Sequence, residues 1–403
     1  MKRIISAVLA AAVLTSLTVS CGMDDGNTDG ERVELKVWGS QDDMQLLRTM
    51  CDEFAAANTD KEYTFSFGVV GESDAKKVFL DDPDAAADVF SFANDQLVDL
   101  VSAGALAQIG GSYKDTVERE NVAGSVEAAT VDGKLYAFPM TADNGYFLYY
   151  NKEMFATPPD TLNEILDACA DGQKFAMKLS DSWYLASFFL TAGCGFADDK
   201  TVNFNSSAGL AAARAMNELC KDSRYINFGA DYDSSVVSGF GDGSVIAAVS
   251  GTWIAEKIAN EIGIENLGAT KLPKITIDGS ERQMIGFAGY KLVGVNAASE
   301  HPADAIKLAA WLTNEENQLK RFEERRMGPS NINAAENDTV KSDVALAALA
   351  MQNEYSVSQN NVPSSYWTAA EGFGTDLVSG NVSDDRLQSM LATLSESINN
   401  PIS

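Results

Sequence analysis

Short stretches in which apolar and polar residues alternate are interleaved along this chain with longer stretches in which apolar residues recur every three or four positions. Val33-Glu-Leu-Lys-Val-Trp38 alternates as a half-buried strand does. Leu46, Leu47, Met50 and Phe54 then fall on one helix face, with Asp42 and Asp43 acidic at its N-terminal end. The same reading predicts strands at Tyr63–Val70, Ala87–Phe92, Lys134–Pro139, Gly145–Tyr150, Phe175–Leu179, Val245–Ser250, Leu267–Leu272 and Lys291–Val295. It predicts helices over 96–102, 160–170, 183–191, 207–221, 253–261, 302–312, 314–325, 341–353, 366–378 and 383–398. This alternation implies an α/β fold with mostly parallel sheets. A chain of 403 residues has room for two or three domains. No fixed repeat and no linker-like tract interrupts it after residue 32, which implies lobes that the chain crosses between more than once.

The beginning of the chain has a different character. Met1-Lys2-Arg3 is basic and Ile4 to Val19 is an apolar run of small residues, a pattern of export signals and too short to span a bilayer permanently. The run ends in Val19-Ser20-Cys21-Gly22, which resembles a bacterial lipobox; Thr18 stands where that motif usually has Leu. The expectation is a signal peptide over 1–20, a lipidated Cys21, and a polar, Gly-rich tether over 21–32. An ordinary secretory signal with an incidental Cys is the alternative.

Charge and composition exclude several functions. Lys and Arg number 30 against 58 Asp and Glu, a net charge of −28 that repels nucleic acid and anionic lipid. The single histidine, His301, sits at a predicted helix start and leaves no HExxH site or histidine cage. Cys51, Cys169, Cys194 and Cys220 are scattered without CxxC spacing, and four buried free thiols are expected, with one long-range disulfide as the alternative. Phosphate-binding glycine loops and the GxSxG elbow are absent. Asp231-x-Asp233-x-Ser235 with Asp242 mimics a calcium loop, but Val236 occupies the sixth place, where the turn wants Gly. No cofactor or metal is expected.

Two groups of residues carry chemistry. Trp183-Tyr184, Trp253 and Tyr366-Trp367 lie where strands or loops give way to helices, the edge at which open α/β sheets bind ligands. Flat aromatic faces stack on pyranose rings, although core packing is the commoner fate of any single aromatic. Asp42, Asp43, Asp95, Asp143 and Asn144 fall at strand-to-helix turns, where they serve as caps or as acceptors for sugar hydroxyls. Two such carboxylates facing a cleft would also suit a glycosidase.

Several strings together resemble one family. Asp132-Gly-Lys-Leu-Tyr-Ala-Phe-Pro139 and Thr141-Ala-Asp-Asn-Gly-Tyr-Phe-Leu-Tyr-Tyr-Asn-Lys152 are similar to the "GKLYGYP … YYNK" segment of bacterial extracellular solute-binding proteins of the maltose/maltodextrin-binding type. Supporting strings are Ala87–Asp95, Gly239–Trp253, Gly294–Ser299, Ala309–Glu316 and Met327–Ser330. The resemblance implies two α/β lobes around a ligand cleft, 33–142 plus 289–330 and 143–288 plus 331–403, with crossings near Thr141–Asn144, Phe287–Tyr290 and Gly328–Asn331. It implies stacking by Phe92, Tyr184 and Trp253, and polar contacts from Asp42 or Asp43, Asp95, and Asp143 or Asn144. The implied function is non-catalytic: capture of a neutral oligosaccharide, foremost maltose or maltodextrin, for the permease of an ABC importer. Such a protein is expected to be a monomer on the outer face of the cell membrane, held by lipid. Phe92 and Gln96 stand where maltose binders often have Trp and a basic residue, and Trp367 follows Pro363 early, so another oligosaccharide stays open. A secreted carbohydrate-active enzyme and a surface adhesin are the other readings.

Overall fold

The computed structural model describes residues 31–401 apart from Asp198 and Gly380. The signal peptide, Cys21 and all but the last two residues of the tether therefore lie outside the described residues. The chain first lays down β1 (Arg32–Gly39), β2 (Glu62–Val69), β3 (Val89–Ala93) and β4 (Ala137–Thr141). Val33, Leu35 and Val37 are buried on alternate positions of β1, and the helix Met44–Ala57 presses Leu46, Leu47, Met50 and Phe54 into the same core. The chain then leaves to build β5 (Phe147–Asn151), β6 (Lys174–Ala176), β7 (Tyr225–Ile226), β8 (Val245–Ser250) and β9 (Leu267–Thr270). It returns as β10 (Lys291–Val295), which lies between β3 and β4. The first sheet has the order β2-β1-β3-β10-β4 and the second β9-β5-β8-β6-β7.

Both sheets are mixed, which corrects the expectation of mostly parallel pairing. β2, β1 and β3 are parallel, but β10 is antiparallel to both its neighbours; in the second sheet β5 is antiparallel to β8 and β9. The cause is the crossing path. A strand that enters a lobe from the other lobe starts at the shared edge and runs away from it, opposite to strands that end there. The second sheet buries both faces: Leu148, Tyr150 and Val249 pack on one side, and Phe147, Tyr149 and Ala248 on the other. A strand buried on both faces reads as a continuous apolar run, as Phe147–Tyr150 does. Helices Ala75–Asp81, Gly111–Glu120 and Tyr232–Asp242 were not legible as such, being short or rich in polar residues and Gly.

The segments joining the lobes lie side by side. The Ala142 N–H donates to the Gly328 carbonyl at 2.9 Å, and that of Asn144 to the Gly289 carbonyl at 3.2 Å. The buried Asp143 carboxylate accepts from Gly328 N at 2.7 Å and from Thr252 Oγ1 at 3.1 Å, tying one crossing to another and to the turn after β8. A methyl at Gly328 would lie 2.7 Å from Leu346 Cδ2 and 3.0 Å from Asp143 Cβ, so only glycine lets these crossings approach. Close to this axis, Gly286–Ala288 pairs in parallel with Ser356–Ser358.

All four described cysteines are free, Cys51 and Cys194 buried. Cys169 and Cys220 are only half-buried, a correction to the expectation of four buried thiols, because each sits near the end of a helix rather than under it. Among the described residues no helix is long and apolar enough to cross a membrane.

Candidate ligand-binding site

Strands β2, β3, β6, β7 and β8 all run toward the gap between the sheets. The loops leaving their carboxyl ends line a cavity of about 1280 Å3 with residues from both lobes. This is where open α/β sheets place ligands. Ordinary small-ligand pockets hold about 300–1,000 Å3, so the space suits several linked rings.

Trp253 rises from the turn after β8. Beneath it, Tyr149 Oη donates to the Gly251 carbonyl at 2.9 Å and Tyr232 Oη to the Val249 carbonyl at 2.7 Å. A methyl on Gly251 would lie 1.9 Å from Trp253 Cζ3; glycine alone allows the indole to fold back over this backbone. Trp253 Nε1 donates to Asp233 Oδ2 at 2.8 Å, and Ser250 Oγ donates to Asp233 Oδ1 at 3.0 Å, so the ring is pinned by its polar edge. The ammonium of Lys291, from the first lobe, sits 5.9 Å from the ring centroid. Asp233 thus has a partner already, and the calcium-like spacing of Asp231, Asp233 and Ser235 opens the helix Tyr232–Asp242.

Trp183 completes this wall. It sits in the first turn of the helix Ser182–Ala192, where Asp181 Oδ1 accepts from its backbone N–H at 2.9 Å. Its ring centroid lies 6.0 Å from that of Trp253, inclined by 35°, and Tyr146 meets it edge-on at 4.6 Å. Tyr184 and Trp367 also line the cavity, Tyr184 nearly buried against Tyr232. Burial holds the Tyr184 phenol well above its ordinary pKa, so it stays protonated.

Asp95, from the loop after β3, and Asn144, from the first crossing, line the same cavity. Burial pushes the Asp95 carboxyl up to about 6, against the opposing pull of hydrogen bonds and of Lys76. Each lysine on the lining is already paired: Lys76 with Asp99 at 2.7 Å, Lys77 with Asp81 at 2.7 Å, Lys178 with Asp181 at 3.3 Å, and Lys257 with Asp42 at 3.4 Å. Asp74, Asp231, Glu261 and Glu371 line the cavity without an ion pair among the described residues. Such a surface disfavours anionic ligands and offers acceptors to hydroxyls.

Of the residues singled out in the sequence, Asp95, Asn144, Trp183, Tyr184, Trp253 and Trp367 meet in this cavity, and the others do not. Phe92 is wholly buried in the first-lobe core, 5.6 Å from Phe90, because β3 is covered on both faces. Tyr366 is likewise buried and donates its hydroxyl to the Ser182 carbonyl at 2.7 Å, propping the helix that bears Trp183. Asp43 is buried against Arg325 at 2.9 Å, and Asp143 is spent on the crossings. Asp42 is exposed beyond the cavity and reaches it only through Lys257. Asp233 and Gln359 were missed; their roles depend on contacts that no local pattern records. Glu31, His301 and Asp304 cluster near one another, but Lys61 Nζ lies 2.9 Å from Asp304 and 3.3 Å from Glu31 and meets their charge.

The two lobes and the aromatic cleft between them define a solute-binding receptor. Residues 49–348 match the family described as bacterial extracellular solute-binding protein, and the chain belongs to that family. It is similar to the galactooligosaccharide-binding protein of Bacillus subtilis (strain 168), 28% identical over 90% of this chain and 89% of that protein. It is also similar to the maltodextrin-binding protein MdxE of the same organism, 24% identical over 94% of this chain and 93% of the relative. A structure solved with acarbose superposes with a TM-score of 0.85, at 32% identity, covering 92% of this chain and 100% of that one.

Proposed function

We propose that this protein captures a neutral oligosaccharide of the maltose/maltodextrin class between its lobes and delivers it, unaltered, to the permease of an ABC importer. The observation that carries the reading is the wall of Trp183 and Trp253 in one cavity with Asp95 and Asn144, a cavity whose lysines are all ion-paired. Sugar rings stack on the indoles, and the carboxylate and amide take their hydroxyls. In this reading the lobes are 33–142 plus 289–330 and 143–288 plus 331–403, they hinge at the three neighbouring crossings, and a lipid on Cys21 holds the monomer at the outer face of the membrane. Likeness to a maltodextrin-binding relative supports the glucan. The galactooligosaccharide-binding relative, the more similar of the two, favours a second reading in which the same cleft takes galacto-oligosaccharides.

Titration calorimetry against maltose, maltotriose, longer maltodextrins, galacto-oligosaccharides and xylo-oligosaccharides tests this, with chromatography of the recovered sugar. Tight one-to-one binding of the α-glucan series without products is expected. Binding of galacto-oligosaccharides alone replaces the glucan; products point to an enzyme; no heat with any sugar refutes the receptor.

A further inference from the structure

Gln359 is only 2% exposed, yet it lines the cavity with Trp183, Trp253, Asp95 and Asn144. It opens the short turn Gln359–Asn361, directly after Ser356–Ser358, the strand paired with the crossing Gly286–Ala288. Its Oε1 accepts from Trp183 Nε1 at 3.0 Å, so its amide oxygen faces the second-lobe wall. The same side chain lines the cavity with Asp95 of the first lobe and helps hold that carboxyl down against the effect of burial. A methyl at Gly289 would lie 2.7 Å from the same Oε1, so the side chain also packs against a crossing. The neighbouring Asn360 repeats the bridge: its Oδ1 accepts from Asn94 Nδ2 at 2.8 Å, while Asn94 Oδ1 accepts from the Tyr290 N–H at 2.9 Å. By contrast, the link between Asp42 and Lys257, also between the lobes, joins two exposed side chains at 3.4 Å, a kind of pair that holds little in water.

We propose that Gln359 is a positioning residue that couples ligand capture to lobe closure, fixing the indole of Trp183 and the carboxylate of Asp95 in one frame only when the lobes stand as they do here. A glutamine suits this task because one planar amide presents an acceptor and a donor at a set separation. When the lobes part, Gln359 cannot serve both partners, so the aromatic face and the polar acceptor leave register together. The proposal rests on the cleft being the ligand site. The charged groups that face Asp95 are Lys76, on the helix Ala75–Asp81, and Asp99, on the helix Leu97–Ser102, which are paired with each other at 2.7 Å.

Three variants of the full folded chain test this: Gln359→Ala, Gln359→Glu, and Asp42→Asn as a control at the exposed link. Maltotriose affinity is measured at about pH 7.5 and about pH 5, the radius of gyration without sugar by small-angle scattering, and Asp95 by its carboxyl carbon resonance. Gln359→Ala is expected to weaken maltotriose binding about tenfold or more, as for loss of a hydrogen bond to a charged group. It should also enlarge the unliganded molecule and move the Asp95 transition upward. Gln359→Glu keeps the acceptor for Trp183 but sets a second carboxylate against Asp95, so its loss should be large near neutrality and recover in acid, where one proton relieves the repulsion. Asp42→Asn should change none of these. Should Gln359→Ala fail to fold, Gln359→Glu decides alone, since a purely structural defect does not recover on acidification. Equal losses at both pH values, or a radius of gyration and an Asp95 transition that stay at wild-type values, overturn the proposal. If the wild type binds none of the sugars, the receptor reading falls, and the scattering and resonance measurements still decide the role of Gln359.

Discussion

Replacing Trp253 by alanine strips the cleft of its central flat face. The indole is only half-buried, so its removal opens no deep cavity; what goes is the surface presented to a ligand and the exclusion of water behind it. Its pinning by Asp233 at 2.8 Å, and the backbone beneath it at Gly251, mean that the face is preorganised and costs little to order on binding. A central aromatic anchor of this kind is worth about 2 kcal/mol or more, so maltodextrin affinity should fall about thirtyfold. Trp253→Phe keeps most of the face but not the N–H to Asp233. An ordinary hydrogen bond is worth about 1 kcal/mol, so about a fivefold loss is expected. Gly251→Ala should resemble Trp253→Ala, because the new methyl displaces the ring without touching the sugar. Calorimetry gives the affinities, and circular dichroism with thermal melting shows whether the fold persists. Binding by Trp253→Ala within about twofold of wild type, at an unchanged melting temperature, would show that the indole is packing and that the ligand lies elsewhere.

Asp95→Asn should trade stability against binding. Because burial raises this carboxyl to about 6 in the folded chain, the folded state holds its proton more tightly than the unfolded one, so stability falls as pH rises from about 4 to 6 and stays lowered above that range. The amide variant should therefore melt higher than wild type near neutrality, lose that pH dependence and bind sugar more weakly; a lower melting temperature refutes this account. Gly328→Ala should destabilise by about 1–3 kcal/mol, the usual cost of overpacking, because its methyl meets Leu346 and Asp143 at the crossings; an unchanged denaturation midpoint would show that the crossings yield. Asp143→Ala should lower the melting temperature more than it lowers affinity, since its Oδ2 serves both Gly328 and Thr252; calorimetry beside melting separates the two. Cys21→Ala should release the protein into the medium, and continued membrane fractionation would dismiss the lipid anchor.

Much of the architecture was legible because each element buries one face against its own lobe. The alternation in Val33–Trp38 and the stripe of Leu46, Leu47, Met50 and Phe54 are local consequences of a two-residue and a 3.6-residue repeat, and they report burial without reference to anything distant. The helices at 207–221 and 302–312 and the strands at 245–250 and 291–295 appear at the expected positions for that reason. The same logic explains why Trp183 and Trp253, set just beyond strand ends, were found as cleft residues. Local pattern does not tell a cleft aromatic from a core one. Phe92 and Trp253 both sit at the end of a strand or just past it, and only the covering of β3 on both faces, against the glycine-opened turn after β8, separates them. Carboxylates are still more ambiguous. Asp95, Asp143 and Asp43 look alike in the chain, yet one faces the cavity, one ties the crossings and one is held by Arg325. What a carboxylate does is set by the donors around it, and here those donors come from segments far away in the chain. Gln359 carries no periodic or motif signal at all, since its partners Trp183, Asp95 and Gly289 meet only when both lobes and a crossing are in place. Sequence determined the class of fold and the aromatic character of the cavity; the tertiary structure alone decided which polar residues line that cavity and which hold the lobes together, because hydrogen bonds and ion pairs are made by distance in space.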